Sequence, residues 1–493
     1  MSDLPTFDEL HSISDLHMGG RSGFQILRES GRLANFILRL SQQRPQGRVA
    51  LVLNGDVFDT LAEDVAGYVA IDDAEATVRR IMDDASFAPV WAALAAFVKL
   101  PGRTLVFVIG NHDIEIAFPS PQRLLLSRLA GDDLSARARI EFSTAGAGYT
   151  AMVGRSRVFC IHGNEVDDWN YNRYEDLARV SRRMNAGLSL PQDEWKPNAG
   201  TRMVKEVMNT VKRRYAWIDL LKPENSAAVG ALLVLDPSQA SKINQLFGIV
   251  GEWKRGGAQV EARLSGDVVV PPPETSTPPP MTLEQMLGPN LKQGFGTSAD
   301  DMLLEVEGSL GKPRSMAAQV DGTLGAPQLI VDRLTGWLRG ISQAEALRRA
   351  LLDWLKDDKS FDIGDRDDTF DNVTAAVGPS IDFIVTGHTH LERAIDMGQG
   401  RYYFNSGTWI RLMRFTPAML ARENAFTEVF NVLVDGRMKT IDEACFGGEP
   451  FVMDQTSAVS ISVDPAGGTV GALVHVEGDG TGEPREIQRY TRG

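Results

Sequence analysis

Residues 104–113 read TLVFVIGNHD. An apolar, β-rich run of this length predicts a strand buried on both faces, as in a parallel sheet. It ends in a glycine, an amide, an imidazole and a carboxylate, and in open α/β sheets ligands gather at the carboxyl ends of strands. The same construction recurs on either side. HSISD (11–15) and VALVLNGD (49–56) precede it, while GYTAMVG (148–154), RVFCIHG (157–163) and IDFIVTGHTH (381–390) follow. Residues 22–42 and 72–98, between the first three runs, have helix-forming composition with apolar residues three and four apart. The alternation predicts an α/β fold with its chemistry at the strand ends.

The seven histidines stand at 11, 17, 112, 162, 388, 390 and 475. Five of them close the strand-like runs, in the blocks Asp15-Leu16-His17, Gly110-Asn111-His112-Asp113, His162-Gly163 and Gly387-His388-Thr389-His390. A fifth block, Asn54-Gly55-Asp56-Val57-Phe58-Asp59, supplies carboxylates without a histidine. Imidazole mixed with carboxylate suits zinc, iron or manganese, whereas magnesium favours oxygen ligands and water. The strand period of two is expected to place Asp15 and His17 on one face, and His388 and His390 share that spacing. Gly55, Gly110, Gly163 and Gly387 are expected to let the backbone turn where each strand ends. His11 and His475 lie outside the blocks and are expected to be structural or exposed. Cys160 is expected to be a small buried hydrophobe.

The order DxH, GDxxD, GNH(D/E), a later strand-end histidine and GHxH resembles the calcineurin-like metallophosphoesterases, and all five blocks are intact. The resemblance implies a four-layer α/β sandwich with a dinuclear centre at its strand ends. It implies that Asp15, His17 and His390 bind one metal, that Asn111, His162 and His388 bind the other, and that Asp56 bridges them. It also implies that His112 contacts the phosphate and protonates the leaving alcohol, with Asp59 orienting its ring. The cofactor implied is a pair of divalent ions roughly 3.5–4 Å apart, which share an activated water and polarise the phosphoryl oxygen. Manganese is the first expectation, with iron, zinc or nickel as alternatives. SDLHMGG, LNGDVFD, GNHD, GHTH and FNSGTW are similar to bacterial enzymes near the UDP-2,3-diacylglucosamine pyrophosphatases, over about 1–170 and 381–410. The chain departs from that group at His112, where the pyrophosphatases carry arginine. Thr60 and Leu61 follow Asp59, so the GDxVDRG form of the protein phosphatases is absent.

Outside these blocks the chain predicts a layout of 1–170 and 381–445 as the two parts of the phosphoesterase core. Residues 171–380 read as a mostly helical insertion or cap, and 446–493 as a small β-rich C-terminal extension. Within the insertion, Val204, Met208, Val211, Tyr215 and Ile218 recur at helical spacing, and Ser342 with Glu345 forms a capping box. VVVPPPETSTPPP (268–280) reads as an extended linker that would let the cap move. RYYFNSGTW (401–409) and FTEVFNVLVDG (426–436) read as strands, and the acidic loop 361–371 as solvated. Arg202, Lys205, Lys212, Arg213, Arg214 and Lys222 read equally as a phosphate-facing groove or a solvated helix face, while Arg21 is placed beside the metals as a substrate contact.

The 65 acidic and 51 basic side chains leave a net charge of −14, which opposes sequence-independent binding to nucleic acid. The expected partner is a phosphate-ester substrate, small or lipid-linked, with no stable nucleic-acid partner. A metal-dependent nuclease and a non-catalytic metal-binding scaffold are the alternatives. Two cysteines and no signal-like or membrane-spanning segment predict a cytoplasmic protein.

Overall fold

The computed structural model describes residues 4–65, 67–190, 195–222, 228–236 and 342–493. The Pro-rich segment 268–280 lies outside the described residues. Strands are β1 Thr6–Phe7, β2 Glu9–Ile13, β3 Val49–Asn54, β4 Arg103–Val108, β5 Ile140–Ser143, β6 Tyr149–Val153, β7 Ser156–Cys160, β8 Phe383–Thr386, β9 Glu392–Gly398 and β10 Arg401–Ser406. They continue with β11 Arg411–Met413, β12 Cys445–Phe446, β13 Glu449–Pro450, β14 Val452–Asp454, β15 Ser457–Val463, β16 Thr469–His475 and β17 Arg485–Arg492.

Two sheets carry the architecture, in the orders β17-β16-β15-β2-β3-β4-β5 and β1-β6-β7-β8-β10-β9. β2 to β5 run parallel, as the unbroken apolar runs of β3 and β4 predict, and in the second sheet β7, β8 and β10 run parallel, as do β1 and β6. The inner faces meet in one core, with Leu10, Val52 and Val106 packing in a cluster with Val158, Val385 and Phe404. Helices Ser30–Gln42, Ala88–Lys99 and Pro119–Ala130 cover the outer face of the first sheet, and helix Asp368–Ala376 covers that of the second. The molecule is thus the expected four-layer α/β sandwich.

The C-terminal region is β-rich, as expected, and it completes the first sheet. β15 pairs antiparallel with β2, the strand that leads to Asp15, and Ala458, Val459, Ile461 and Leu473 are fully buried. Deleting residues 455–493 will therefore strip one edge from β2 and open the core on both faces of the sheet. The truncated chain is expected to lose its cooperative melting transition. An unchanged melting temperature would show that the three strands are an appendage.

A second hydrophobic core joins the insertion to the chain after β10. Val207, Val211, Trp217, Leu347 and Leu351 pack in one cluster with Ile410, Leu412, Phe426, Val429, Leu433 and Ile441. Residues 426–436, expected as a strand, belong instead to helix Glu423–Asp435. Phe426, Val429 and Leu433 fall on one helical face and are buried, and Gly436 ends the helix at φ 67°. The helical spacing read from Val204 is also offset. A π-helical turn at Val204–Met208 inserts a residue, so Val207, Val211, Tyr215 and Ile218 are the buried set while Val204 and Met208 are half-buried. The capping of Ser342 holds, since Glu345 N–H donates to its Oγ at 3.1 Å.

The acidic loop 361–371 is not simply solvated. Asp367 ion-pairs with buried Arg393 at 3.0 Å and also caps helix Asp368–Ala376. No single helix among the described residues is long and apolar enough to cross a membrane.

Candidate metal centre

The functional side chains leave the loops just past β2, β3, β4, β7 and β8. The alternation of a strand does not bring Asp15 and His17 together, because β2 ends at Ile13. Both residues lie in left-handed backbone, at φ 55° and 44°. Asp56, His388 and His390 do the same at 52°, 72° and 61°, so five of the eight such non-glycine residues among the described residues are candidate ligands. Each left-handed residue costs about 1–2 kcal/mol, and strain of this kind clusters where function over-determines the backbone. Of the four glycines, Gly55 and Gly163 have the positive φ expected of turns. Gly110 and Gly387 are needed for close approach, since a Cβ at either would overlap Asp56 or Ser14.

Two groups result. Ligand atoms of Asp15, His17 and His390 lie within 4.8 Å of one another, as do those of Asp56, His162 and His388. His390 Nε2 is 3.3 Å from Asp15 Oδ1 and 3.0 Å from His17 Nε2. Asp56 stands between the groups, its Oδ2 3.3 Å from His162 Nε2 and 3.7 Å from His17 Nε2. Its Oδ1 accepts the His112 N–H at 2.8 Å. Asp15 Oδ1, His162 Nε2 and Asn111 Oδ1 are buried without a hydrogen-bond partner. A neutral polar interior does not leave such acceptors unpaired. An imidazole, carboxylate and amide donor set with orphaned lone pairs fits divalent cations.

Neighbouring groups decide which ring nitrogen is free. His162 Nδ1 is 2.8 Å from the Asn54 carbonyl, which only accepts, so Nδ1 carries the proton and Nε2 is the available donor atom. His388 Nε2 donates to Asp167 Oδ2 at 2.8 Å, which leaves its Nδ1 as the donor atom. His112 Nδ1 donates to Asp59 Oδ1 at 3.1 Å, as the expected orienting role requires. Burial and the neighbouring His112 depress His17 to about 3, so its ring is neutral and suited to a metal. His112 moves the other way. Burial alone would lower it, but Asp56 and Asp59 raise it to about 9. Its side chain is 20% exposed, against 2% for His17 and 0% for His162. His112 is the ring an incoming molecule meets.

Four residues that the sequence reading did not assign also shape the centre. Asp113 accepts from Val57 N–H at 2.8 Å and Gly110 N–H at 2.7 Å, locking two ligand loops together. Asn405 donates to the Gly387 carbonyl at 2.8 Å and so steadies the His388–His390 loop. Asn170 accepts from Asn111 at 3.5 Å. Asp167 forms a carboxylate–histidine pair of the kind that orients metal ligands. An Asp167→Asn chain is expected to bind metal about 10–100-fold more weakly. Metal titration followed by chelator competition checks this, and an unchanged affinity would remove Asp167 from the centre.

The insertion's cations divide. Lys222, buried, brings Nζ to 3.3 Å from His390 Nδ1. Lys212 is buried and paired with Asp219, and the charges of Asp219 and Asp59 outweigh its burial and raise its pKa. Lys205 donates to the Glu63 carbonyl at 2.9 Å, while Arg213 and Arg214 are exposed. Arg21 is not brought into the cluster. It is exposed and pairs with Asp64, lining a cavity of about 90 Å³ with Lys212 and Arg213. His11 and His475 pair with Glu9 and Glu392, and burial pushes the Cys160 thiol up to about 12.

No curated protein matches the chain at a significant level. Residues 11–212 match the family model for calcineurin-like phosphoesterases, and the chain carries a domain of that metallophosphoesterase superfamily.

Proposed function

We propose that the centre binds two divalent cations and hydrolyses a phosphate ester, small or lipid-linked. Asp15, His17 and His390 hold one cation; Asn111, His162 and His388 hold the other; Asp56 is shared. The carrying observation is the pair of three-residue groups joined through buried Asp56, with lone pairs of Asp15, His162 and Asn111 left unpaired. When bound, the cations acidify a water and polarise the phosphoryl oxygen.

The chain's own part is positioning and proton transfer. Asp59 accepts the Nδ1 proton of His112 and so presents Nε2–H outward, where it donates to the departing ester oxygen. Asp56 fixes the same residue through its backbone N–H. Lys222, beside His390, adds a positive charge for the phosphoryl oxygens. A purely structural metal site has no use for a partly exposed, charged His112 held against Asp59. Metal-dependent hydrolysis therefore accounts for more of the geometry than a scaffold does.

The reading is tested with manganese-loaded protein on bis-p-nitrophenyl phosphate and p-nitrophenyl phosphate. Turnover of either ester supports it, and their ratio separates diesterase from monoesterase. Metal-loaded protein that cleaves neither, nor any of a panel of natural phosphoesters, would contradict it.

A further inference from the structure

A cavity of about 760 Å³ lies apart from the His/Asp cluster, and none of its lining residues belongs to that cluster. Its volume falls in the range of roughly 300–1,000 Å³ that small-molecule sites occupy. Six cations line it, Arg28, Arg213, Arg214, Arg411, Arg437 and Lys439, against the acids Asp442 and Glu443. On a chain of net charge −14, such a local excess of cations stands out.

The cations are not equally committed. Arg28 and Arg411 are tied down, Arg28 to Asp454 at 2.8 Å and both of them to Asp442. Arg214 donates to Tyr215 Oη at 3.0 Å and has Asp236 at 3.7 Å, and Arg437 holds Asp435 through two nitrogens at 3.0 and 2.9 Å, so both are committed although neither acid lines the cavity. Lys439 holds Glu443 only at 3.9 Å, with its side chain 84% exposed. The Arg213 side chain, exposed, makes no hydrogen bond or ion pair among the described residues. Phe24, Leu27 and Met438 supply an apolar wall beside these cations. A pocket with one apolar wall and two loosely engaged cations, Arg213 and Lys439, matches a small molecule with a flat apolar part and a phosphate. Arg suits that recognition through its planar fork of donors.

We propose that this cavity is a second ligand site, which binds a phosphate-bearing molecule of nucleotide size. The phosphate lies against Arg213 and Lys439, and the ring system lies on Phe24, Leu27 and Met438. The site is independent of the metal centre.

The test is isothermal calorimetry with AMP and adenosine as probes, on the full-length protein as purified and after chelation of its metals. On the chelated protein AMP is expected to bind at one per chain, with adenosine about tenfold or more weaker, because adenosine lacks the charge-assisted bonds. The Arg213→Glu/Lys439→Glu chain is expected to lose about tenfold or more in AMP affinity with metal content and melting temperature unchanged. Both positions are exposed, so the double variant keeps its fold. AMP binding that disappears on chelation would place the phosphate at the metals and overturn the proposal. So would AMP affinity that the double charge reversal leaves unchanged, or adenosine binding as tightly as AMP.

Discussion

An Asp56→Asn chain will lose bound metal and at least about a thousandfold in kcat on any ester the protein cleaves. Asp56 is 1% exposed and, among the described residues, is the carboxylate that reaches both histidine groups. Burial works to protonate it, but His162 and His112 hold its pKa well below the usual carboxylate range. It is therefore a fixed negative charge at the point where two cations would otherwise repel. Asparagine keeps the shape and can still accept the His112 N–H, so the fold and the loop geometry should survive while the charge is lost. Elemental analysis of the purified variant and its kcat beside the wild type check this. Full metal content with kcat within about tenfold of wild type would mean that Asp56 does not bridge.

His112→Ala separates proton transfer from metal binding. General-acid catalysis is worth about a hundredfold to ten-thousandfold, so kcat is expected to fall by that much with metal content unchanged. The pH profile gives a second readout. Asp56 and Asp59 raise His112 to about 9 against the opposing effect of burial, so the ring is charged below that value and loses its proton above it. Activity that depends on the charged ring is present at neutral pH and is lost as pH rises. Bound cations oppose part of the rise, which places the alkaline limb below pH 9. Asp59→Asn removes the partner that favours the imidazolium and should move the limb down by about one unit. A limb that does not move in Asp59→Asn, or an unchanged kcat in His112→Ala, would remove the acid role.

The centre was legible because its residue types are rare elsewhere and sit at strand ends, where an apolar run breaks into glycine, amide and imidazole. Asp15, His17, Asp56, Asn111, His162, His388 and His390 stand at such breaks, but their division into two ligand sets is what the resemblance to calcineurin-like enzymes implies. How the backbone delivers them was not legible. Periodicity describes a strand, but β2 stops at Ile13 and the geometry of Asp15 and His17 comes from left-handed residues beyond it. Orienting residues were hidden for a different reason. Asp167 meets His388 across 221 positions of sequence, and Lys222 meets His390 across 168. A carboxylate or ammonium with so distant a partner looks like any polar surface residue. Arg21 failed in the opposite way, since nearness in sequence to His17 does not bring it into the cluster when a Gly-Gly turn carries the chain outward to Asp64.

Fold was readable where the period was clean. β3 and β4, unbroken apolar runs, begin within one residue of the stretches read at 49–56 and 104–113 and end two and five residues before those stretches do. Residues 426–436 mix β-branched and aromatic residues, which favours a strand locally, yet burial at Phe426, Val429 and Leu433 against the second core makes them a helix. The C-terminal strands were recognised as β from their alternation. Their pairing with β2, more than 400 residues away, depends on tertiary packing that no local pattern carries.

The most direct test is the number of metal ions per chain. Protein equilibrated with manganese and freed of excess should hold two per chain by elemental analysis, and an Asn111→Ala chain should hold fewer. Two in the wild type, with turnover rising in step with occupancy, is the result this geometry predicts. None in the wild type, with manganese, iron or zinc supplied in turn, would contradict it, however well the five motifs align.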